Sequence, residues 1–114
     1  MTDTIFGQIA RGEMEVDVVY EDERCVAFRD IAPQAPVHIL VIPRESIAGL
    51  READGMNTEL LGHLLQVCAL VAEQEGLGLD VYRVVVKTGS NGGQTVEHLH
   101  LHVLGGRAMA WPPG

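Results

Sequence analysis

The run VEHLHLHVL, residues 96–104, constrains the fold more than any other stretch, because histidines and aliphatic residues alternate along it with a period of two. Alternate side chains of an extended strand share a face, so the pattern predicts a strand over 96–104 with His98, His100 and His102 on one face. Leu99, Leu101 and Val103 then belong to a core. At ~3.3 Å per residue, neighbouring histidines stand about 6.6 Å apart and the outer two about 13 Å apart.

Other runs supply the rest of a sheet. VDVVY (16–20) and RCVAFRD (24–30) are β-like and joined by the acidic EDE, which predicts a hairpin. IAPQAP is a connection punctuated by Pro33 and Pro36; VHILVIP (37–43) is a third strand and VYRVVVK (81–87) a fourth. Residues 4–11 suit a short helix capped by Thr4, with Ile5, Phe6 and Ile9 on one side. From Asn57 to Glu75, Leu60, Leu61, Leu64, Leu65, Cys68, Leu70 and Val71 repeat at helical spacing, with Glu59, Gln66, Glu73 and Gln74 facing water. Gly76 and Gly78 end that helix, and SIAGLREADG before it is irregular, with room for one helical turn. Consecutive strands with one main helix predict an α+β fold: a five-stranded antiparallel sheet covered on one face, forming a single domain over 1–114.

The formal net charge of −8 excludes general affinity for DNA or RNA, and the scattered Lys and Arg form no basic stripe for a nucleic acid or an anionic membrane. A small molecule is the expected partner. No apolar run approaches the ~20 residues needed to span a bilayer. Cys25 and Cys68 form no C-x-x-C pair and sit in apolar stretches, as core cysteines do, so a cytoplasmic location is expected.

The histidine row admits two chemistries. Zinc needs nitrogens at ~2.0–2.1 Å, which three rings on one extended strand reach only with help from His38 or carboxylates. A phosphate ester suits the row better: one neutral imidazole attacks phosphorus while its neighbours bond the surrounding oxygens. The preceding loop TGSNGGQT (88–95) carries Gly89, Gly92 and Gly93, which permit either an anion nest of backbone amides or a plain turn. Asp30, at a strand end, is a turn residue or an acceptor for a ribose diol.

HLHLHVL matches a His-φ-His-φ-His-φ-φ signature, and with DTIFGQI, FRDIAPQAPVHILVIP, GGQTVEHLHLHVLGGR and the terminal WPPG the chain resembles the histidine triad family, in particular its Hint branch. The resemblance runs from about Asp3 to Gly114. It implies a homodimer whose sheet continues across a two-fold axis, and a purine nucleoside phosphoramidase that cleaves adenosine 5′-monophosphoramidates and aminoacyl adenylates through a nucleotidyl-histidine. Matched position by position, it makes His100 the nucleophile, bonds His102 to phosphate and has His98 and His38 orient the nucleophile. It assigns Asp30 to the ribose, and Phe6, Ile9, Phe28 and Ile31 to the base of a purine nucleotide such as AMP or GMP. Gly93, Gln94 and Thr95 would contact phosphate through backbone and hydroxyl groups, with the Thr95 hydroxyl relaying a proton to the leaving amine.

Lys87 stands where the family commonly has Asn on ribose or phosphate, and Glu97 where it often has Tyr. TDTIFGQI lacks the N-terminal Cys pair through which some relatives hold structural zinc, so neither that metal site nor a cofactor is expected. Trp111, stiffened by Pro112 and Pro113, is placed to reach a partner's pocket, while Val81, Val84, Val86 and the main helix offer apolar surface for pairing. Dinucleoside polyphosphate hydrolysis, a non-catalytic purine nucleotide-binding or scaffold role, and a metal carrier are the alternatives.

Overall fold

A computed structural model describes residues 3–79 and 81–114. Five strands, β1 (Val18–Glu21), β2 (Cys25–Arg29), β3 (Val37–Pro43), β4 (Tyr82–Val86) and β5 (Leu101–Gly105), form one antiparallel sheet in the order β1-β2-β3-β5-β4. Two helices accompany it, the short α1 (Ile5–Ala10) and the main α2 (Thr58–Gln74). The α+β expectation therefore holds. Among the described residues no helix is long and apolar enough to cross a membrane.

The central strands are covered on both faces, so β2 and β3 are nearly continuous apolar runs. On one face Cys25, Ala27, Ile39, Val41, Leu101 and Val103 pack against Leu60, Leu64, Val67, Cys68 and Val71 of α2. Both cysteines are free and buried in this core. On the other face Val26, Phe28, Leu40 and Ile42 pack against Ile9 and Ala10 of α1, with Phe6 alongside. Thr4 starts α1 by accepting the Gly7 amide on its hydroxyl. Gly76, at φ 81°, ends α2 while the Leu77 amide returns to the Ala72 carbonyl, and the buried Leu77 side chain covers the turn.

Several expectations need correction, the first being a sheet covered on one face: α2 covers one face and α1 the other. The face of α2 against the sheet is Leu60, Leu64, Val67, Cys68, Val71 and Ala72, whereas Leu65 and Leu70 are exposed. Leucine spacing alone did not separate the core stripe from its flank. The fifth strand also starts late: the sequence predicts 96–104, but the ladder begins at Leu101. The Leu99 amide donates to the Ile47 carbonyl instead of to a strand neighbour, so His98 and His100 lie on an extended lead-in tied to the 44–57 connection. That connection holds two short 3-10 turns, Leu50–Glu52 and Gly55–Asn57, where one was expected. Smaller differences are the starts of β1 and β4, one or two residues later than predicted.

Asp22 fastens the β1–β2 hairpin to α2. One carboxylate oxygen accepts the Arg24 and Cys25 amides; the other accepts the Tyr20 hydroxyl and lies 2.6 Å from His63 Nε2 on α2. Burial alone pushes this carboxyl up, but the Arg24 amide, His63, Tyr20 and the Cys25 amide together hold it well below the usual carboxylate range. Asp22→Ala is expected to cost about 1–3 kcal/mol in urea unfolding, and His63→Ala less, with a non-additive double mutant. Additive losses would show that the two side chains are not coupled.

Candidate active site

The antiparallel register of β3 and β5 decides which histidines meet. His38 stands opposite Leu104 and Leu40 opposite His102, so His38 and His102 share the face that carries α1. His38 Nε2 lies 2.9 Å from His102 Nδ1, and the His100 ring packs edge-on to His102 at 5.0 Å and to Phe6 at 4.9 Å. The cluster is therefore His38, His100 and His102. His98 is also fully buried, but its ring points to the Pro43 carbonyl, 2.9 Å from Nε2.

Fixed hydrogen-bond partners assign the protons of the neutral rings. A carbonyl only accepts, so the 2.7 Å contact between His100 Nδ1 and the His98 carbonyl places a proton on Nδ1 and leaves a lone pair on Nε2. The Gln34 amide donates to His38 Nδ1, which puts the His38 proton on Nε2, facing His102 Nδ1. His102 then carries its proton on Nε2. That N–H is buried and has no partner among the described residues. A nucleophilic nitrogen and an unsatisfied donor thus sit on adjacent rings, and a buried donor of this kind calls for an acceptor.

Burial pushes all of these histidines below their ordinary value near 6.5. For His102, burial together with His100, Lys87 and His38 pushes it down to about 4. The rings are therefore neutral at neutral pH.

Beside the cluster lies a cleft of about 190 Å³ lined by Phe6, Ile9, Phe28, Asp30 and Ile31, the five residues singled out from the sequence, together with Met14, Val16 and Leu40. Phe6 and Phe28 meet edge-on at 5.8 Å. Ile31 is almost wholly exposed on the rim. Asp30 Oδ2 stands 3.5 Å from His38 Nε2, while its other oxygen accepts the Ala32 amide. Glu15 and Arg29 also border the cleft, and apolar walls with the Asp30 carboxylate beside the histidines suit a planar base with a hydroxyl-bearing group attached.

Several expected roles meet different geometry. His98 reaches His100 through its backbone carbonyl, and His38 bonds to His102 instead of to His100. The 88–95 loop closes on itself: the Gly93 amide donates to Ser90 and the Gln94 amide to Gly89. The Gln94 side chain is equally committed, to the Gly89 amide and to the Ala48 and Val96 carbonyls. Gly89 and Gly93 have φ of 72° and 83°, and a Cβ on Gly92 would lie 2.3 Å from the Thr88 carbonyl oxygen. Turn geometry therefore explains these glycines, and of the three loop residues proposed for phosphate only Thr95 keeps its amide and hydroxyl uncommitted among the described residues. Lys87 packs across Gly93, and its charge acts on His38, His100 and His102. Trp111 is exposed, away from this cluster's hydrogen bonds.

Sequence reasoning did not find the Gln34 amide or the Pro43 carbonyl, because backbone groups leave no side-chain signal. The pairing of His38 with His102 needed only the correct strand order.

A five-stranded antiparallel sheet with a short and a long helix, carrying histidines from β3, from β5 and from the approach to β5, defines the class to which the chain belongs: the HIT domain, whose family model matches residues 11–109. An uncharacterized HIT-like protein of Synechococcus elongatus is 62% identical over 112 residues, covering 98% of this chain and 97% of its own. A protein of Zea mays named 14 kDa zinc-binding protein is 54% identical, over 97% of this chain and 88% of its own. Among solved structures, a HIT family hydrolase from Legionella pneumophila superposes with a TM-score of 0.96 at 47% identity, covering 98% of this chain and all of that one.

Zinc in the Zea mays protein's name prompts the question of fit here. Among the described residues two groups bring donor atoms within 4.8 Å of one another: Asp22, Cys25 and His63, and Asp30, His38 and His102. In the first, the Cys25 thiol is buried and pushed up to about 12, and Asp22 already accepts four hydrogen bonds. In the second, the His38 proton occupies the space a metal would take between the rings. Neither donor set fits a zinc ion as it stands.

Because the folded histidines bind protons less readily than unfolded ones, the unfolded chain takes up more protons between about pH 6.5 and about pH 4. Stability is therefore full above about pH 6.5 and falls as pH drops through that window. Urea unfolding followed from about pH 7 to about pH 5 is expected to show this decline, with a shallower slope for His102→Gln. Equal slopes for the two proteins would remove His102 as a source.

Proposed function

We propose that the chain is a purine nucleoside phosphoramidase of the Hint branch, hydrolysing adenosine 5′-monophosphoramidates through a covalent nucleotidyl-His100. The observation that carries this reading is the His98 carbonyl's hold on His100 Nδ1, which leaves Nε2 as a free nucleophile. With the base in the Phe6–Phe28 cleft and the ribose hydroxyls on Asp30, phosphorus comes to the ring beside Phe6.

His100 Nε2 forms the bond to phosphorus as the P–N bond breaks, and the electron pair goes to the leaving amine. A poor leaving group as an anion, the amine takes a proton from solvent relayed by the Thr95 hydroxyl, which ends the step protonated. The His102 Nε2–H donates to a non-bridging oxygen and so satisfies a donor otherwise stranded in the protein. Water then attacks phosphorus from the side the amine vacated. The P–Nε2 bond breaks, the water proton returns through the Thr95 relay, and AMP leaves with His100 regenerated. No metal or cofactor enters these steps.

His100→Ala is expected to lower turnover of an adenosine phosphoramidate by about a thousandfold or more while AMP still binds. Mass spectrometry of quenched wild-type turnover should find an AMP-sized adduct on His100, and a chelator should leave the rate unchanged. Full activity in His100→Ala would end this assignment.

The homodimer belongs to the same reading. β4 is an edge strand with an unpaired backbone rim, and Val81, Leu65 and Leu70 add exposed apolar surface. Trp111, more than three-quarters exposed, is offered to a partner's site. Analytical ultracentrifugation should give a dimer mass at micromolar protein, reduced by a proline within β4. A monomer at all concentrations would contradict it.

A further inference from the structure

His102 has a different neighbour on each side of its strand. Leu40 of β3, in the base cleft, lies opposite it on one side, and Val85 of β4 on the other. Val85 and Leu104 belong to a second cavity, of about 320 Å³, which Arg83, Arg107 and the C-terminal tail enclose. Leu104 is itself opposite His38. Cross-strand neighbours have Cβ atoms about 4.5–5.5 Å apart, so this second cavity borders the histidine cluster directly, on the side away from the base cleft. For a nucleotide with its base in the cleft and its phosphorus at His100, this cavity offers the departing group a place on the far side of His102.

The cations of that side are unusual for the chain. Acidic residues outnumber Lys and Arg by 16 to 8, and Arg11, Arg29, Arg44 and Arg51 each hold a carboxylate, whereas Arg24, Arg83 and Arg107 hold none among the described residues. Arg83 and Arg107 hold backbone carbonyls instead: Arg83 that of Ala110, and Arg107 those of Gln34 and Ala108. Neither has a carboxylate partner among the described residues. Each carbonyl takes one N–H and leaves other donors of the guanidinium fork for a ligand. Lys87, the chain's single lysine, lies one residue past the end of β4, continues the alternation of Arg83 and Val85, and also lacks a carboxylate partner among the described residues.

We infer that the Arg83–Arg107 cavity is a leaving-group subsite for an anion, so that the chain prefers phosphoramidates whose amine carries a carboxylate or phosphate over those with a neutral or cationic amine. This rests on the phosphoramidase reading and names its substrate class. Two guanidinium groups with spare donors match a planar carboxylate or a phosphate, and charge-assisted hydrogen bonds of this kind are the strong ones. A cationic amine would meet Arg83, Arg107 and Lys87 as like charges. Apolar Val85 and Leu104 between the cations and the histidines leave room for a short methylene spacer.

The test compares AMP joined through nitrogen to glycine, to phosphoethanolamine and to ethanolamine, amines of similar basicity carrying a carboxylate, a phosphate or no charge. The wild type is expected to show kcat/KM about tenfold higher for one or both anionic conjugates, a preference that shrinks with added salt. The conjugate showing the larger gain identifies carboxylate or phosphate as the source. Arg83→Gln with Arg107→Gln should abolish the preference while leaving the ethanolamine conjugate's kcat/KM within about twofold, and Arg→Lys at both positions should restore part of it. Equal kcat/KM for all three conjugates, or an equal loss for all three in the double variant, would overturn the subsite. If none is hydrolysed, the phosphoramidase reading fails; calorimetry of the three conjugates on His100→Asn then decides the subsite alone, about tenfold tighter binding of an anionic conjugate supporting it and equal affinities refuting it.

Discussion

The pairing of β3 with β5 is the constraint on which the site depends. It sets His38 beside His102 and leaves Leu101, Val103, Ile39 and Val41 to the core under α2. A slip of one residue would turn every side chain of one strand to the opposite face, replacing imidazoles with leucines in the site and burying imidazoles under the helix. The apolar residues that alternate with the histidines are thus what hold the histidines in register. Folding and chemistry draw on the same five-residue strand.

Within that frame, burial and backbone partners do the electronic work. Each ring is deprived of water, which disfavours the charged form, and each is offered a donor or an acceptor that selects one tautomer: the His98 carbonyl for His100, the Gln34 amide for His38 and the Pro43 carbonyl for His98. The chain of contacts ends at a ring nitrogen with its proton and no acceptor among the described residues. His98 is the clearest case of a role moved from side chain to main chain, since its carbonyl reaches the nucleophile while its ring fastens the segment to the end of β3.

Much of this was legible in the residues. β3 matched its predicted span, Val37–Pro43, because Pro43 marks its end and β-branched residues fill it. Phe6, Ile9, Phe28, Asp30 and Ile31 do line one cleft. What could not be read was set by contacts distant in sequence. The alternation of histidines and leucines continues through 98–101, yet the Leu99 amide is taken by Ile47, half the chain away, so the ladder starts later than the pattern suggests. Likewise, glycines in 88–95 fit an anion nest or a hairpin turn equally well until the partners of the Gly93 and Gln94 amides are known. Leu65 and Leu70 are apolar but lie on the flank of α2, outside the stripe of Leu60, Leu64, Val67, Cys68, Val71 and Ala72 that meets the sheet.

The 44–57 connection, with neither strand nor α-helix, anchors two parts of the site. Ile47 holds the Leu99 amide, and Ala48 holds the Gln94 side chain that closes the glycine loop. Gly49 lies so close to Gln94 that a methyl group there would stand 3.1 Å from its amide oxygen. A change of length in this surface segment would therefore travel straight to the nucleophile's approach and the loop beside it, although none of its residues belongs to the histidine cluster. Here an apparently expendable loop has the mechanical standing of a core element, and tolerance to insertion ends where those two backbone carbonyls begin.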